Sequence, residues 1–163
     1  MVYRKYNPDR FTRRSLRISD RDYSSASAYF VTIRAEQREP VFEIPELRKI
    51  LVETWKALPD RFTGVKLDEF VVMPDHVHFI LWLNGAVEDP PRLGEVVGAY
   101  KSLTTVKWYD HLRALGKTWP GYVWQRGYHD HIVRIAELEK TRQYIGNNPI
   151  RSSSKKRSKQ PGQ

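Results

Sequence analysis

Apolar residues recur along the chain with two periods, one typical of strands and one typical of helices. Runs rich in β-branched and aromatic residues predict strands, and apolar residues spaced three and four apart predict helices. Pro45 suits the first turn of a helix, and Pro74-Asp75 suits a tight turn between two strands. The predicted elements are strands at 29–34, 67–73 and 76–83, a short strand at 122–125, and helices at 45–58, 93–113 and 134–147.

The order of these elements predicts the fold class. Strand, helix, hairpin, helix, strand and helix indicate an α+β sandwich with a mostly antiparallel sheet. The ferredoxin-like βαββαβ arrangement is the simplest match, with one additional C-terminal helix. That helix is expected to end at Asn148, because the residue before a proline disfavours helical geometry. The low-complexity segment 152–163 is expected to be disordered.

Two histidines, His76 and His78, stand at the start of the apolar strand that follows the turn. Side chains two residues apart in a strand point the same way, so both imidazoles can meet one cation. The strand is apolar on both faces, which predicts a central position in the sheet. The chain has no cysteine, so a metal site must use His, Asn, Gln, Asp or Glu. The alternative is a pair of core histidines satisfied by hydrogen bonds.

A second pair of histidines, His129 and His131, follows Trp124 and Arg126 in a region that is predicted to be irregular. Arg126 and these two histidines could meet phosphate at the rim of a site. The pair could also be the true metal pair, or part of an ordinary loop that Trp124 anchors to the core.

Tyr144 and Asn148 lie four residues apart on the last predicted helix. Residues at this spacing are neighbours on a helix surface, so a phenol and an amide oxygen could serve one site. Alternatively, Asn147-Asn148-Pro149 is a helix stop and Tyr144 is a surface aromatic residue.

The net charge of +9 is concentrated at the two ends of the chain. Residues 1–21 hold seven Lys or Arg against two acidic residues, and 151–163 hold five against none, which leaves a net −1 for 22–150. Basic ends on a near-neutral core favour a protein that binds a phosphate backbone, although solvated tails are the alternative. No apolar run reaches the roughly 18 residues of a membrane span, and no secretion signal is recognised.

Three blocks in this order resemble the single-tyrosine HUH transposases, in which HUH stands for His, hydrophobic, His. They are Val71–Ile80 (VVMPDHVHFI), Trp124–Arg134 (WQRGYHDHIVR) and Tyr144–Pro149 (YIGNNP). The chain is similar to the REP-associated tyrosine transposases and their insertion-sequence relatives over about 6–150. The resemblance implies an enzyme that cleaves and rejoins single-stranded DNA next to foldback hairpins.

The resemblance also implies the roles of individual residues. His76, His78 and Asn148 would bind Mg or Mn, and Tyr144 would be the nucleophile that forms a 5′-phosphotyrosine intermediate. Two imidazoles would suit zinc at least as well. No organic cofactor is expected. The expected DNA contacts are Arg13, Arg14, Arg17, Lys101, Trp124, Arg126, His129 and His131.

Residues 1–25 are expected to form a basic arm, 26–150 the catalytic domain and 151–163 a basic tail. The resemblance leaves open a monomer or a homodimer in which the tyrosine helix acts on the partner. A DNA enzyme of this kind is expected in the cytoplasm, associated with the nucleoid.

Two other functions are compatible with the sequence. A domesticated relative could bind DNA hairpins without cutting them. A histidine-based phosphodiesterase fits less well, because Ile80 occupies the place of the third histidine of the histidine-triad pattern. Two-histidine phosphodiesterases carry Thr or Ser where this chain has His78.

Overall fold

The computed structural model describes residues 26–157, with side chains described as far as Asn148. The predicted basic arm and residues 158–163 therefore lie outside the described residues. The strands are β1 (Ser27–Arg34), β2 (Val65–Val72), β3 (His76–Leu83) and β4 (His129–Val133). The helices are α1 (Pro45–Lys56), α2 (Leu58–Arg61), α3 (Leu93–Ala114) and α4 (Ile135–Arg157). Short 3-10 turns at Glu36–Arg38 and Val41–Glu43 lead from β1 to α1.

The four strands form one sheet in the order β2-β3-β1-β4, and every neighbouring pair is antiparallel. Each of the two helical connections, β1 to β2 and β3 to β4, crosses over one intervening strand. This is the ferredoxin-like arrangement with a helix added at its C-terminal end, so the predicted fold class is confirmed. The apolar strand β3 is central, as its residues on both faces indicated.

The two faces of the sheet are covered by different helices. One face packs against α1 and α3 in the larger core, which includes Ile33, Phe79 and Tyr100. The other face carries the smaller cluster of Ile80 with Ile145 and its neighbours, and α4 lies on it. Because side chains alternate along a strand, His76 and His78 fall on the same face as Ile80. The histidines therefore lie on the face that α4 covers.

The fourth strand differs from the prediction. No strand forms at 122–125, where Trp124 makes only an isolated bridge with Ala35, and the strand β4 begins at His129 instead. The apolar residues at 122–125 that predicted a strand are explained by burial, because Val123 and Trp124 pack in the larger core. The strand β4 lies at the sheet edge and is mostly exposed, so it lacks the apolar pattern that predicts a strand.

The last helix also differs. It was expected to end at Asn148, yet α4 continues through Pro149 to Arg157, and residues 152–157 are helical instead of disordered. The restriction before proline is a preference that a helix can override. Within α4, Pro149 removes the hydrogen bond that an N–H group at that position would make.

Candidate active site

The imidazoles of His76 and His78 face each other, with 3.0 Å between their Nε2 atoms. Each Nδ1 atom has its own partner. His76 Nδ1 lies 2.6 Å from Asp75 Oδ1, and His78 Nδ1 lies 2.8 Å from Thr32 Oγ1. A partner on Nδ1 fixes the plane of an imidazole and increases its basicity, as in many metal-binding histidines. Both rings are therefore oriented with Nε2 directed at a shared position.

The tautomer of His78 depends on whether the Thr32 hydroxyl donates to its Nδ1 atom or accepts from it. A carboxylate only accepts hydrogen bonds, so His76 Nδ1 donates to Asp75 and a neutral His76 has a lone pair at Nε2. If the Thr32 hydroxyl donates to His78 Nδ1, then His78 Nε2–H donates to His76. If the hydroxyl accepts instead, both Nε2 lone pairs converge, and that arrangement needs a cation between them.

Burial keeps His78 neutral. Its side chain is almost fully buried, and burial together with the nearby His76 and Arg34 lowers the pKa of His78 to about 4. The Asp75 carboxylate opposes this shift without cancelling it. A neutral imidazole is the form that binds metals. At neutral pH His78 therefore does not have to lose a proton before it can act as a ligand.

Tyr144 on α4 lies over the same region. Its ring centroid is 6.0 Å from that of His78 and 6.2 Å from that of Phe30 on β1. The ring is 47% exposed, so the phenol can be reached from solvent. Phe30 also contacts His78, at 5.3 Å between centroids. The buried residues Leu138 and Ile145 hold α4 on the sheet below.

Asn148 lies one helical turn beyond Tyr144, on a similar side of α4. It is half-buried, and its Nδ2 atom is buried without a hydrogen-bond partner among the described residues. Buried amide groups are usually paired. Rotation of the side-chain amide by 180° would place Oδ1 at that position. Asn148 can therefore offer an oxygen ligand without losing a contact.

The second pair of histidines lies on the same face as the first. Thr32 on β1 pairs with His78 on one side and with His129 on the other, and Phe30 pairs with His131. The rings of Phe30 and His131 are 5.1 Å apart. His129 and His131 are exposed at the sheet edge. The structure thus brings the two pairs onto one surface, separated by the strand β1.

A partly buried ion pair ties α4 to the sheet near Tyr144. Arg142 Nε and Nη2 donate to the two carboxylate oxygens of Asp68, at 2.8 and 2.6 Å. Trp82 Nε1 also donates to Asp68, at 2.8 Å. The hydrogen bond from Arg142 lowers the pKa of Asp68, although burial opposes it. A register shift between Leu67 and Phe70 places Asp68 in an irregularity of β2. We call Asp68, Trp82 and Arg142 the α4 clamp.

Two of the residues that were expected to contact DNA form hydrogen bonds within the protein instead. Trp124 was expected to stack on bases, but it is buried and its Nε1 donates to Thr104 Oγ1 at 3.0 Å. It belongs to the core, where it packs against Phe42. Lys101 was expected on the outside, yet its Nζ donates to the backbone oxygens of Gln125 and Gly127, at 2.7 and 3.2 Å. Burial accordingly lowers the pKa of Lys101.

The other expected contacts divide into two groups. Arg126, His129 and His131 are exposed, which suits a contact with DNA. Arg13, Arg14 and Arg17 lie outside the described residues.

Sequence reasoning missed the groups that hold the site together. Asp75 directly precedes the first histidine, and a carboxylate next to a candidate ligand is a signal that could have found it. Thr32 had no such signal, because its contact with His78 depends on the register of β1 against β3. The pairing of Asp68 with Arg142 likewise joins distant parts of the chain.

Within residues 26–157, no group of three or more His, Asp or Glu side chains could hold a metal ion. Among the helices of the described segment, none is long and apolar enough to cross a membrane.

Comparison with known proteins identifies the family. The family model described as "Transposase IS200 like" matches residues 23–148, which is most of the chain. The chain belongs to this family of transposases, which are DNA-processing enzymes. An uncharacterized protein of Haemophilus influenzae is 30% identical over 173 residues, and the alignment covers 90% of this chain and 93% of that protein.

Two solved structures have a similar fold. One is a REP-associated tyrosine transposase bound to a REP hairpin, with a TM-score of 0.58 and 18% identity, covering 82% of this chain and 72% of that chain. The other is a candidate transposase of Deinococcus radiodurans R1, with a TM-score of 0.55 and 22% identity, covering 78% and 95%. At these identities, the likeness supports the ferredoxin-like fold.

Proposed function

We propose that this transposase cleaves and rejoins single-stranded DNA next to hairpins, through a covalent bond between Tyr144 and a 5′ phosphate. The observation that carries the proposal is the position of Tyr144. Its half-exposed ring lies 6.0 Å from the ring of His78, which in turn faces His76. A nucleophile and a pair of potential metal ligands thus share one surface.

The phenol supplies the nucleophile. Tyr144 Oη would bond to phosphorus while the bond between phosphorus and the 3′ oxygen breaks. The phenol loses its proton, and the 3′ oxygen takes up a proton to become a hydroxyl group. One phosphoester replaces another, so the step can reverse and rejoin strands without an energy source.

His76 and His78 would hold a divalent cation through Nε2, with Asn148 as the third ligand. When bound, Mg or Mn would act as a Lewis acid that stabilises charge on the phosphate. The orphaned buried amide of Asn148 and the paired Nδ1 atoms of both histidines support this set. Zinc would also suit two imidazoles, but an amide oxygen and phosphate oxygens favour a harder cation.

DNA would approach along the exposed edge of the sheet. Arg126, His129 and His131 are exposed there, and the two histidines share the face of the first pair. The REP-associated transposase with a similar fold is bound to a REP hairpin, and we extend hairpin recognition to this chain. The basic ends of the chain would add contacts to the phosphate backbone. Such an enzyme would work at the nucleoid.

The tyrosine and the histidines of this proposed site come from one chain. The α4 clamp ties the tyrosine helix to β2 of the same sheet. A monomer therefore carries every residue of the proposed site, and we propose that each copy acts with its own tyrosine.

A covalent-adduct assay tests the proposal. The protein is mixed with a labelled pool of imperfect-palindrome oligonucleotides and Mg or Mn, and is then run on a denaturing gel. A metal-dependent band that survives denaturation supports a tyrosine transesterase. DNA retention without a band would instead favour a protein that binds hairpins without cutting them.

A further inference from the structure

Arg34 is the last residue of β1 and lies directly opposite His76 in the antiparallel register. Residues opposite each other in an antiparallel pair carry their side chains on the same face of the sheet. Arg34 therefore shares the face of His76 and His78.

The backbone around Arg34 is fixed on both sides. The N–H of Ala35 donates to the carbonyl oxygen of Asp75 at 2.8 Å, which joins β1 to the turn before His76. The N–H of Gln125 donates to the carbonyl oxygen of Arg34 at 2.9 Å. Two separate segments thus fix the backbone from which the Arg34 side chain extends. A side chain that contacts a reacting group needs such a rigid base.

The guanidinium group is partly withdrawn from water without being paired. Arg34 Nε is buried and has no hydrogen-bond partner among the described residues. Buried polar groups nearly always have partners, and arginine is the residue best suited to bind a phosphate through several N–H groups. Arg34 as a whole residue is only partly buried, so its guanidinium can meet an acceptor from outside the chain.

The charges on this face indicate what that acceptor is. Arg34 lies directly opposite His76 across the strand pair, so its positive charge lies beside the two histidines. A guanidinium beside two candidate metal ligands would repel a bound cation unless an anion lay between them. A phosphodiester has two non-bridging oxygens, so one can meet the cation while the other accepts from the guanidinium.

We propose that Arg34 is a catalytic residue that binds a non-bridging oxygen of the scissile phosphodiester. Its N–H groups would stabilise the negative charge that develops on that oxygen while the phosphoryl group passes to Tyr144. Donors preorganised for such a charge typically contribute about 100- to 1,000-fold to a rate. This inference rests on the proposed function.

The test compares single-turnover adduct formation by Arg34→Ala with that of the wild type, using an oligonucleotide that the wild type selects from the palindrome pool. We expect a rate loss of about 100-fold or more, with little change in affinity for the oligonucleotide or for Mn²⁺. Free guanidinium ion should restore part of the rate of Arg34→Ala and none of the rate of Tyr144→Phe. Arg113→Ala is the matched control, because Arg113 is exposed and, among the described residues, forms an ion pair only with Asp110 on α3.

Arg34→Lys keeps the test decisive if Arg34→Ala fails to fold. Lysine keeps the charge without the planar fork, so we expect a rate between those of the wild type and Arg34→Ala. An Arg34→Lys rate below the wild-type rate, with DNA and Mn²⁺ affinity retained, supports the inference. An unchanged rate in a folded Arg34 variant would overturn it while leaving the proposed function intact. No adduct with the wild type would overturn both.

Discussion

The ring of Tyr144 lies 6.0 Å from the ring of His78, although the two residues come from a helix and a central strand that are far apart in the chain. The α4 clamp and the buried side chain of Ile145 hold the helix in this position. Phe30 packs against both rings, with 5.3 Å between its centroid and that of His78 and 6.2 Å to that of Tyr144. The fold therefore places a candidate nucleophile beside a pair of candidate metal ligands within one chain.

The first prediction concerns metal affinity. His76→Ala and His78→Ala should each weaken Mn²⁺ binding by tenfold or more, because each removes a ligand. Asp75→Asn should weaken it by about 10-fold, since losing a carboxylate partner of a ligand typically costs 10- to 100-fold. Titration calorimetry measures the three affinities.

His129→Ala is the matched control for this experiment, because His129 lies on the same face across β1. It should bind Mn²⁺ as the wild type does. Loss of binding in His129→Ala, with binding kept in His76→Ala, would assign the metal to the second pair of histidines.

The second prediction concerns the α4 clamp. Arg142→Ala removes both hydrogen bonds to the Asp68 carboxylate, so α4 loses its ion pair with the sheet and keeps its apolar contacts there. A small displacement of Tyr144 should lower the single-turnover rate of adduct formation by about 10- to 100-fold. Lys140→Ala, an exposed change on the same helix, is the control and should leave the rate unchanged. Equal rates for the two variants would contradict a positioning role for the clamp.

The third prediction concerns pH and the metal-free protein. The pKa of His78 is about 4 in the folded state, against an ordinary value of 6.5 for histidine, so the unfolded chain binds more protons between these values. Its contribution to stability is therefore full above pH 6.5 and is lost as the pH falls towards 4. The slope of the free energy of unfolding against pH should reach about 1.4 kcal/mol per pH unit between these two values.

Urea unfolding in the presence of a chelator, at several pH values, measures this slope. His78→Gln removes the titrating group, so its stability should depend less on pH across the window. Because the pKa of Asp68 is also lowered, its protonation causes a separate loss of stability below its ordinary pKa of 3.8. Identical slopes for His78→Gln and the wild type would contradict the assignment to His78.

The fourth prediction concerns the basic C-terminal end. Residues 151–163 carry five positive charges and no acidic residue. Removing them should weaken binding of single-stranded DNA. It should also reduce the magnitude of the slope of log K against log salt by up to about 3.5, since each neutralised phosphate contributes roughly 0.7. Fluorescence anisotropy across a salt series measures both effects, and an unchanged slope would show that these charges do not meet DNA.

The local pattern of apolar and polar residues predicted much of the fold and part of the candidate site. The apolar run of β3 placed His76 and His78 on a central strand, and helical spacing placed Tyr144 near Asn148. The edge strand β4 could not be predicted in this way, because its exposed residues give no apolar period. The sequence left open whether Trp124 contacts DNA or anchors its loop to the core, and the structure places it in the core.

The partners of the site depend on pairings between distant segments. Thr32 reaches His78 only because β1 lies beside β3 in one register, and a shift by one residue would turn its side chain to the other face. Asp68 meets Arg142 only because a register shift in β2 and the docking of α4 bring them together. Such contacts become visible only once the sheet is assembled.

The measurement that tests the central claim most directly compares Tyr144→Phe with the wild type in the covalent-adduct assay. The account predicts a metal-dependent adduct with the wild type, none with Tyr144→Phe, and DNA affinity that stays nearly the same in both. Tyr122→Phe is the matched control, because Tyr122 is 76% exposed and should form the adduct normally. An adduct of equal yield from Tyr144→Phe would contradict the account and assign the nucleophile to another tyrosine, with Tyr128 the next to test.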